Sequence, residues 1–250
     1  MTRYRAVLFD FFGTLSHAVT RGPWHDLAAR HLGCDPTALL DMLDRTFSVR
    51  ATGAFGDAES TLRWVCDLLD LHPPAARIQA AVRAKEAAVH ADTRLRPDAV
   101  DTLAALRARG LRTAVVSDCG YELPRFLPAL PIAPLLDTCV YSVEVGRRKP
   151  HPRLYQTACR RLGVAPDQCL YVGDGGSQEL TGARAAGMTA LQLAAPDLHE
   201  HLVFDQEASF DGPRIGTLAE LLDWFDIPTA RPRCPVVSTG DRPAAVTSPP

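Results

Sequence analysis

Short apolar runs alternate with longer amphipathic stretches over most of this chain, and the alternation is interrupted once. Ala6-Val7-Leu8-Phe9 is an unbroken apolar run, the pattern of a strand buried on both faces of a parallel sheet. It ends on the carboxylate of Asp10, and Gly13 and Thr14 follow. Between residues 16 and 94 no strand pattern occurs. The spacing there predicts helices over residues 24–33, 36–43, 59–71 and 75–91. Gly33 closes the first; Asp35 caps the second, with Pro36 in its first position. From Leu95 strand and helix alternate. Strands are predicted over residues 112–117, 138–141, 169–172 and 189–193, with helices over 97–109, 152–162, 180–186 and 217–225. Repeated strand–helix units predict an α/β fold with a parallel sheet covered on both faces. Its core comprises residues 1–15 and 95–227, and an all-helical domain, residues 16–94, is inserted after the first strand. Residues 228–250 carry six prolines and little apolar content, the composition of a disordered tail.

Composition changes this picture little. Apolar residues make up 46% of the 250, ample for a core, and the net charge of −2 leaves no electrostatic footprint for nucleic acid or a membrane surface. No run is long and apolar enough to span a bilayer, and the first residues lead into a strand with no signal-like apolar segment. A soluble, cytoplasmic protein is expected. Seven cysteines, an odd number with no CxxC spacing, indicate neither a disulfide framework nor a zinc site. One bias matters more. The chain has 25 arginines and two lysines, Lys85 and Lys149, so each lysine marks a place where a compact ammonium does what a planar guanidinium does not.

Four polar clusters fall at or just beyond predicted strand ends: Asp10 with Thr14, Ser117 with Asp118, Lys149 before Pro150, and Gly173-Asp174 with Glu179. Strand ends of a parallel sheet lie along one edge, so these residues can converge. Asp10 and Asp174 are hard oxygen ligands suited to Mg²⁺, and Glu179, a further acid in the same loop, is a candidate ligand beside them. Ser117 and Lys149 offer a hydroxyl and a positive charge to an anion, and Asp10 is also a candidate nucleophile. In the helical insertion, Arg50 lies in a segment with Gly53 and Gly56 and is a candidate for holding a substrate anion.

These motifs, Asp10-Phe-Phe-Gly-Thr14, Val116-Ser117, Gly146-Arg-Arg-Lys149-Pro150 and Gly173-Asp174-Gly-Gly-Ser-Gln-Glu179, resemble those of the haloacid dehalogenase superfamily, in order and over nearly all of the chain up to residue 227. The resemblance implies a Rossmann-like core with a helical cap over the site. It implies Mg²⁺ held by Asp10, Asp174 and the Phe12 carbonyl, and attack by Asp10 on phosphorus to give an aspartyl-phosphate. Thr14, Ser117 and Lys149 would bind the phosphoryl group of a small phosphorylated substrate. The sequence carries no mark of an oligomeric state.

Two departures stand out. Glu179 replaces the usual Asp, and Asp118 the commoner Asn. The larger departure is Phe12, which stands where the family's phosphatases carry a second Asp, the proton donor for the leaving oxygen. Three readings follow. One is a Mg²⁺-dependent phosphomonoesterase whose missing acid is replaced. Another is a hydrolase of carbon–halogen or carbon–phosphorus bonds, for which Lys85, in a surface-like segment, is the one lysine of the insertion. The last is a metal- and phosphate-binding protein with little turnover.

Overall fold

The computed structural model describes residues 3–226 apart from 203, 206, 208 and 209. The predicted tail and Cys234 lie outside these residues. Six parallel strands form one sheet: β1 (Ala6–Phe9), β2 (Arg112–Ser117), β3 (Thr138–Tyr141), β4 (Cys169–Gly173), β5 (Thr189–Leu193) and β6 (Arg214–Ile215). Their order is β3-β2-β1-β4-β5-β6. The chain lays β2 and β3 to one side of β1, then crosses to the other side for β4. The carboxyl ends of β1 and β4, paired through Phe9 and Val172, therefore frame the crevice where the strand order reverses.

The unbroken apolar run of β1 has a direct cause. Val7 and Phe9 enter the core on one face of the sheet, and Ala6 and Leu8 enter the core on the other. On the first face the sheet packs on α6 (Ala99–Ala108), α7 (Glu122–Phe126) and α11 (Glu220–Asp226), through Leu103, Phe126 and Leu221. On the second it packs on α9 (Pro152–Leu162) and α10 (Glu179–Ala185), through Leu154, Tyr155 and Leu180. Short α8 (Ser142–Val145) follows β3.

The stretch after β1 folds as α1 (Asp26–Leu32), α2 (Pro36–Arg45), α3 (Phe47–Arg50), α4 (Ala58–Leu68) and α5 (Ala75–Asp92). Of these, α1, α2, α4 and α5 share a separate apolar cluster that includes Leu32, Leu39, Leu43, Leu62, Val65 and Ile78. Asp35 caps α2, accepting the Ala38 N–H at 2.9 Å. The one strand-like contact here is a single bridge between Ser16 and Leu95, where the chain leaves and re-enters the sheet domain.

β6, α3, α7 and α8 were not expected from the sequence. Each spans at most five residues, too short to show a period. The six described cysteines are free thiols, and no described helix is long and apolar enough to cross a membrane.

Candidate active site

Three motifs meet at the crevice. The Asp10 N–H donates to the Val172 carbonyl at 2.9 Å, which fixes the end of β1 against β4. From the far side Lys149, joined to Pro150 by a cis peptide and buried to 5% exposure, reaches in. Its Nζ donates to Asp10 Oδ1 and to Glu179 Oε2, each at 2.5 Å, and lies 3.3 Å from the Tyr171 hydroxyl. Tyr171 donates to the same Glu179 oxygen at 2.7 Å, and the Gly175 N–H donates to the other at 3.1 Å. Both oxygens of Glu179 are thus engaged in holding Lys149 and the β4–α10 loop. Gly173 makes room for this: a Cβ there would sit 2.0 Å from Glu179 Oε1. The tyrosine was not singled out in the sequence, although a phenol within a fully buried strand needs a polar partner and so points to a site.

The electrostatics are lopsided. Asp10, Asp174 and Glu179 are all buried, and each offers a carboxylate oxygen within 4.8 Å of the others. Burial pushes the Asp10 carboxyl up to about 7; Lys149 works against this and Glu179 adds to it. Burial, together with the charges of Glu179 and Asp10, lifts Asp174 well above the usual carboxylate range. Burial pulls Lys149 down, but the carboxylates around it outweigh burial and hold the ammonium charged. Three acids against one ammonium is a donor set that a divalent cation fits: hard oxygens, buried, with excess negative charge.

Two buried hydroxyls lie at the same edge of the sheet, in the loop after β1 and at the end of β2. Thr14 Oγ1 and Ser117 Oγ have no hydrogen-bond partner among the described residues. Such groups are costly to bury unpaired, and a bound oxyanion would accept from both.

Asp118, the acid in place of the commoner Asn, has an account. It accepts the Lys149 N–H at 2.9 Å and pairs with Arg148 at 3.1 Å. Arg148 also donates to Ser48 on α3 (2.7 Å), Asp205 (3.2 Å) and Ser177 (3.2 Å), and its guanidinium lies 5.0 Å from the Phe47 ring centroid. A second arginine, Arg96, donates to the carbonyls of Thr14 (3.0 Å) and Gly13 (2.9 Å) and is held by Asp197. His201 completes this side. Its Nδ1 accepts the Val19 N–H at 2.8 Å, its ring faces the Phe12 carbonyl, and its Nε2 lies 3.7 Å from Asp174 Oδ2.

A cavity of about 180 Å³ opens from this cluster to the helical segment. Asp10, Phe12, Lys149 and Asp174 line one end; Arg21, His25, Asp44, Arg50, Lys85 and Asp92 line the other. Arg50 is 7% exposed. Lys85 corrects the surface-like expectation: its ammonium contacts Glu122 of α7, and the two side chains are only 15% and 16% exposed. Arg96, Arg148, Glu122 and His201 escaped the sequence reading because their partners are remote in the chain, and nothing local marks them.

Fold and site together define an α/β protein with an open parallel sheet and an aspartate at the end of its first strand as the candidate nucleophile. Residues 4–187 match the family described as haloacid dehalogenase-like hydrolase, and the chain belongs to it. Among curated relatives, 98 residues are 37% identical to the glyceraldehyde 3-phosphate phosphatase of Methanopyrus kandleri, covering 39% of this chain and 42% of that protein. A further 98-residue match is 39% identical to (S)-2-haloacid dehalogenase 1 of Pseudomonas, covering 39% and 43%. The phosphoserine phosphatase of Thermus thermophilus is 37% identical over 128 residues, 51% of this chain and 49% of its own. The chain thus matches these relatives over half of their length or less. Among solved structures, a 2-haloacid dehalogenase from Pseudomonas syringae superposes with a TM-score of 0.63 at 22% identity, covering 88% of this chain and 97% of that one. A phosphatase from Thermococcus onnurineus gives 0.58 at 24% identity, covering 88% and 97%. These structures share the fold.

Proposed function

We propose that this hydrolase is a Mg²⁺-dependent phosphomonoesterase acting on a small phosphorylated molecule, with Asp10 as nucleophile. The observation that carries the reading is the imbalance at the crevice: three buried acids face one ammonium, beside two hydroxyls without partners. A phosphoryl group with a divalent cation supplies what both lack.

In this reading an Asp10 oxygen attacks phosphorus and the ester oxygen departs with its electron pair; water then cleaves the aspartyl-phosphate to restore the carboxylate. Lys149 opposes the burial that raises the Asp10 carboxyl and would neutralise charge on the phosphoryl oxygens, while Thr14 and Ser117 would donate hydrogen bonds to them. Asp10, Asp174 and the Phe12 carbonyl would hold Mg²⁺, with Glu179 beside them as the acid that fixes Lys149. The ion would supply Lewis-acid stabilisation of the negative charge. The helical segment over the cavity serves as the cap.

The test is hydrolysis of p-nitrophenyl phosphate, whose leaving group needs no proton. Wild type is expected to turn it over with Mg²⁺ and to fall to background in EDTA or as Asp10→Asn. EDTA-insensitive turnover, or activity retained by Asp10→Asn, overturns the reading. The dehalogenase relatives motivate a second one, in which Asp10 attacks carbon and halide leaves. Asp174 argues against it, since that chemistry needs no metal; chloride release from 2-chloropropionate in EDTA would favour it. Trapping of an aldehyde on Lys85 by borohydride would instead favour carbon–phosphorus cleavage. Phosphate binding without turnover of any substrate would mark a binding protein.

A further inference from the structure

We infer that the group released from phosphate is an uncharged phenol, so that the substrate is a small aryl phosphate, and that Phe12, Phe47 and Phe204 receive its ring. This rests on the phosphomonoesterase reading above and names the substrate class for that site.

Charge in the cavity wall restricts the guest first. At the far end Arg21, Arg50 and Lys85 face Asp44, Asp92 and Glu122, three against three. They are matched among themselves. Arg21 pairs with Asp44, Lys85 pairs with Glu122, and Asp92 accepts from His25 (2.8 Å) and from the Gly22 N–H (2.9 Å). Arg50 donates to Thr46 Oγ1 (3.0 Å) and to the Leu43 carbonyl (2.6 Å), and the charges of Glu122 and Asp44 act on it. Burial pulls His25 below its usual range, so it adds no charge at neutral pH. A charged guest would give up its hydration and meet no unmatched partner here.

Phenyl rings supply another part of the wall. Phe12 lines the cavity beside Asp10, and Phe47 of α3 and Phe204 line it as a stacked pair, with centroids 4.1 Å apart and planes at 15°. Val89 and Leu123 add aliphatic surface. Such rings favour a further ring, in stacked or edge contact, over an aliphatic group of the same area.

The chemistry at Phe12 selects the same class. As the bond from Asp10 to phosphorus forms, the ester bond breaks and the leaving oxygen takes its electron pair. An alkoxide needs a proton at that moment. A phenol, with a pKa of about 10, departs as the phenolate and takes its proton from water afterwards. Phe12 has no proton to give, and its neighbours in the cavity have committed theirs. Lys149 donates to Asp10 and Glu179, Lys85 to Glu122 and His25 to Asp92. The Val19 N–H donates to His201 Nδ1, which leaves that ring's proton on Nε2, facing the Phe12 carbonyl.

The test uses non-hydrolysable ligands, so that leaving-group chemistry does not enter. Calorimetric titration of the full chain, with Mg²⁺ present, compares benzylphosphonate, in which a methylene replaces the ester oxygen of phenyl phosphate, with cyclohexylmethylphosphonate, 3-phosphonopropionate and 2,3-dihydroxypropylphosphonate. Benzylphosphonate is expected to bind at least about tenfold more tightly than the carboxylate and the diol. Its lead over the cyclohexyl ligand is expected to be about threefold and to fall toward unity in Phe47→Leu. Equal or tighter binding of the carboxylate or the diol by wild type overturns the inference without any variant. So does the absence of a lead over the cyclohexyl ligand. Should Phe47→Leu fail to fold, Phe204→Leu is the substitute, and a lead unchanged in the variant that folds also counts against the inference. Hydrolysis of p-nitrophenyl phosphate by the same preparation separates the two levels. Turnover without a preference for benzylphosphonate leaves the phosphatase reading standing and removes the aryl class from it; absence of turnover removes the reading itself.

Discussion

Phe12 sits edge-on to Phe11, with ring centroids 4.9 Å apart and planes at 86°, two residues past Asp10. A phenyl ring gives no proton to a departing oxygen. General acid help is worth roughly 10²–10⁴-fold, so p-nitrophenyl phosphate should exceed simple alkyl phosphates in kcat by about that factor. Phe12→Asp should raise alkyl phosphate turnover by at least about tenfold and leave the aryl ester little changed, as steady-state rates on both esters would reveal. Lys149 is the other decisive residue. Lys149→Met strands its buried acids and should lower stability at neutral pH by about 3–5 kcal/mol, measured by urea unfolding. Burial raises the Asp10 carboxyl, so the deficit should shrink as pH falls and Asp10 protonates, and grow as pH rises. Asp10 and Asp174 were legible in the sequence because each follows an apolar strand run, and Lys149 because it is one of two lysines beside 25 arginines. Arg50 was legible only as a candidate; its near-burial in the cavity wall, beside the Arg21–Asp44 and Lys85–Glu122 pairs, rests on contacts that no local pattern encodes.

Among elements, the tight loop Phe11–Leu15 that follows β1 is held from outside. Arg96, at the return from the helical segment, binds two of its carbonyls, and Asp197 fixes Arg96. Burial works against ionisation of Asp197, but the Ala18 N–H, Arg96 and His17 outweigh burial and hold its carboxyl well below the usual range. A depressed acid stabilises above its unfolded pKa and loses that contribution as pH falls through the folded one. Asp197→Asn should therefore cost about 1 kcal/mol near pH 7, and the deficit should begin to shrink once pH falls below the free carboxylate range, compared by urea midpoints from about pH 7 to pH 3. The strands themselves were easy to read. Burial on both faces leaves β1 and β4 uniformly apolar, and β2, β3 and β5 matched their predicted bounds. The edge strand β6 has two residues, and its pairing depends on β5 rather than on its own composition.

For the whole molecule, the proposed Mg²⁺ site would tie folding to metal through the crevice acids. An ion that binds only the folded chain stabilises it by about 2.7 kcal/mol at a hundred times its Kd. Thermal melts should shift upward with Mg²⁺ relative to EDTA, and the shift should vanish in Asp174→Asn. Loss of the shift without loss of folding is expected, since removing the Asp174 charge relieves repulsion from Glu179 and Asp10. Arg148 joins the parts at this scale. It adjoins Lys149 in the chain, pairs with Asp118, and reaches across to Ser48 and Phe47 of α3. This limits recombination among homologues. A helical segment transplanted from another member of the family arrives with its own residues at positions 47 and 48, and its seating is read by the neighbour of the site's lysine. Exchange of that segment should yield functional chimeras chiefly when α3 is retained or Arg148 is replaced together with it, so the two domains are expected to diversify as a matched pair.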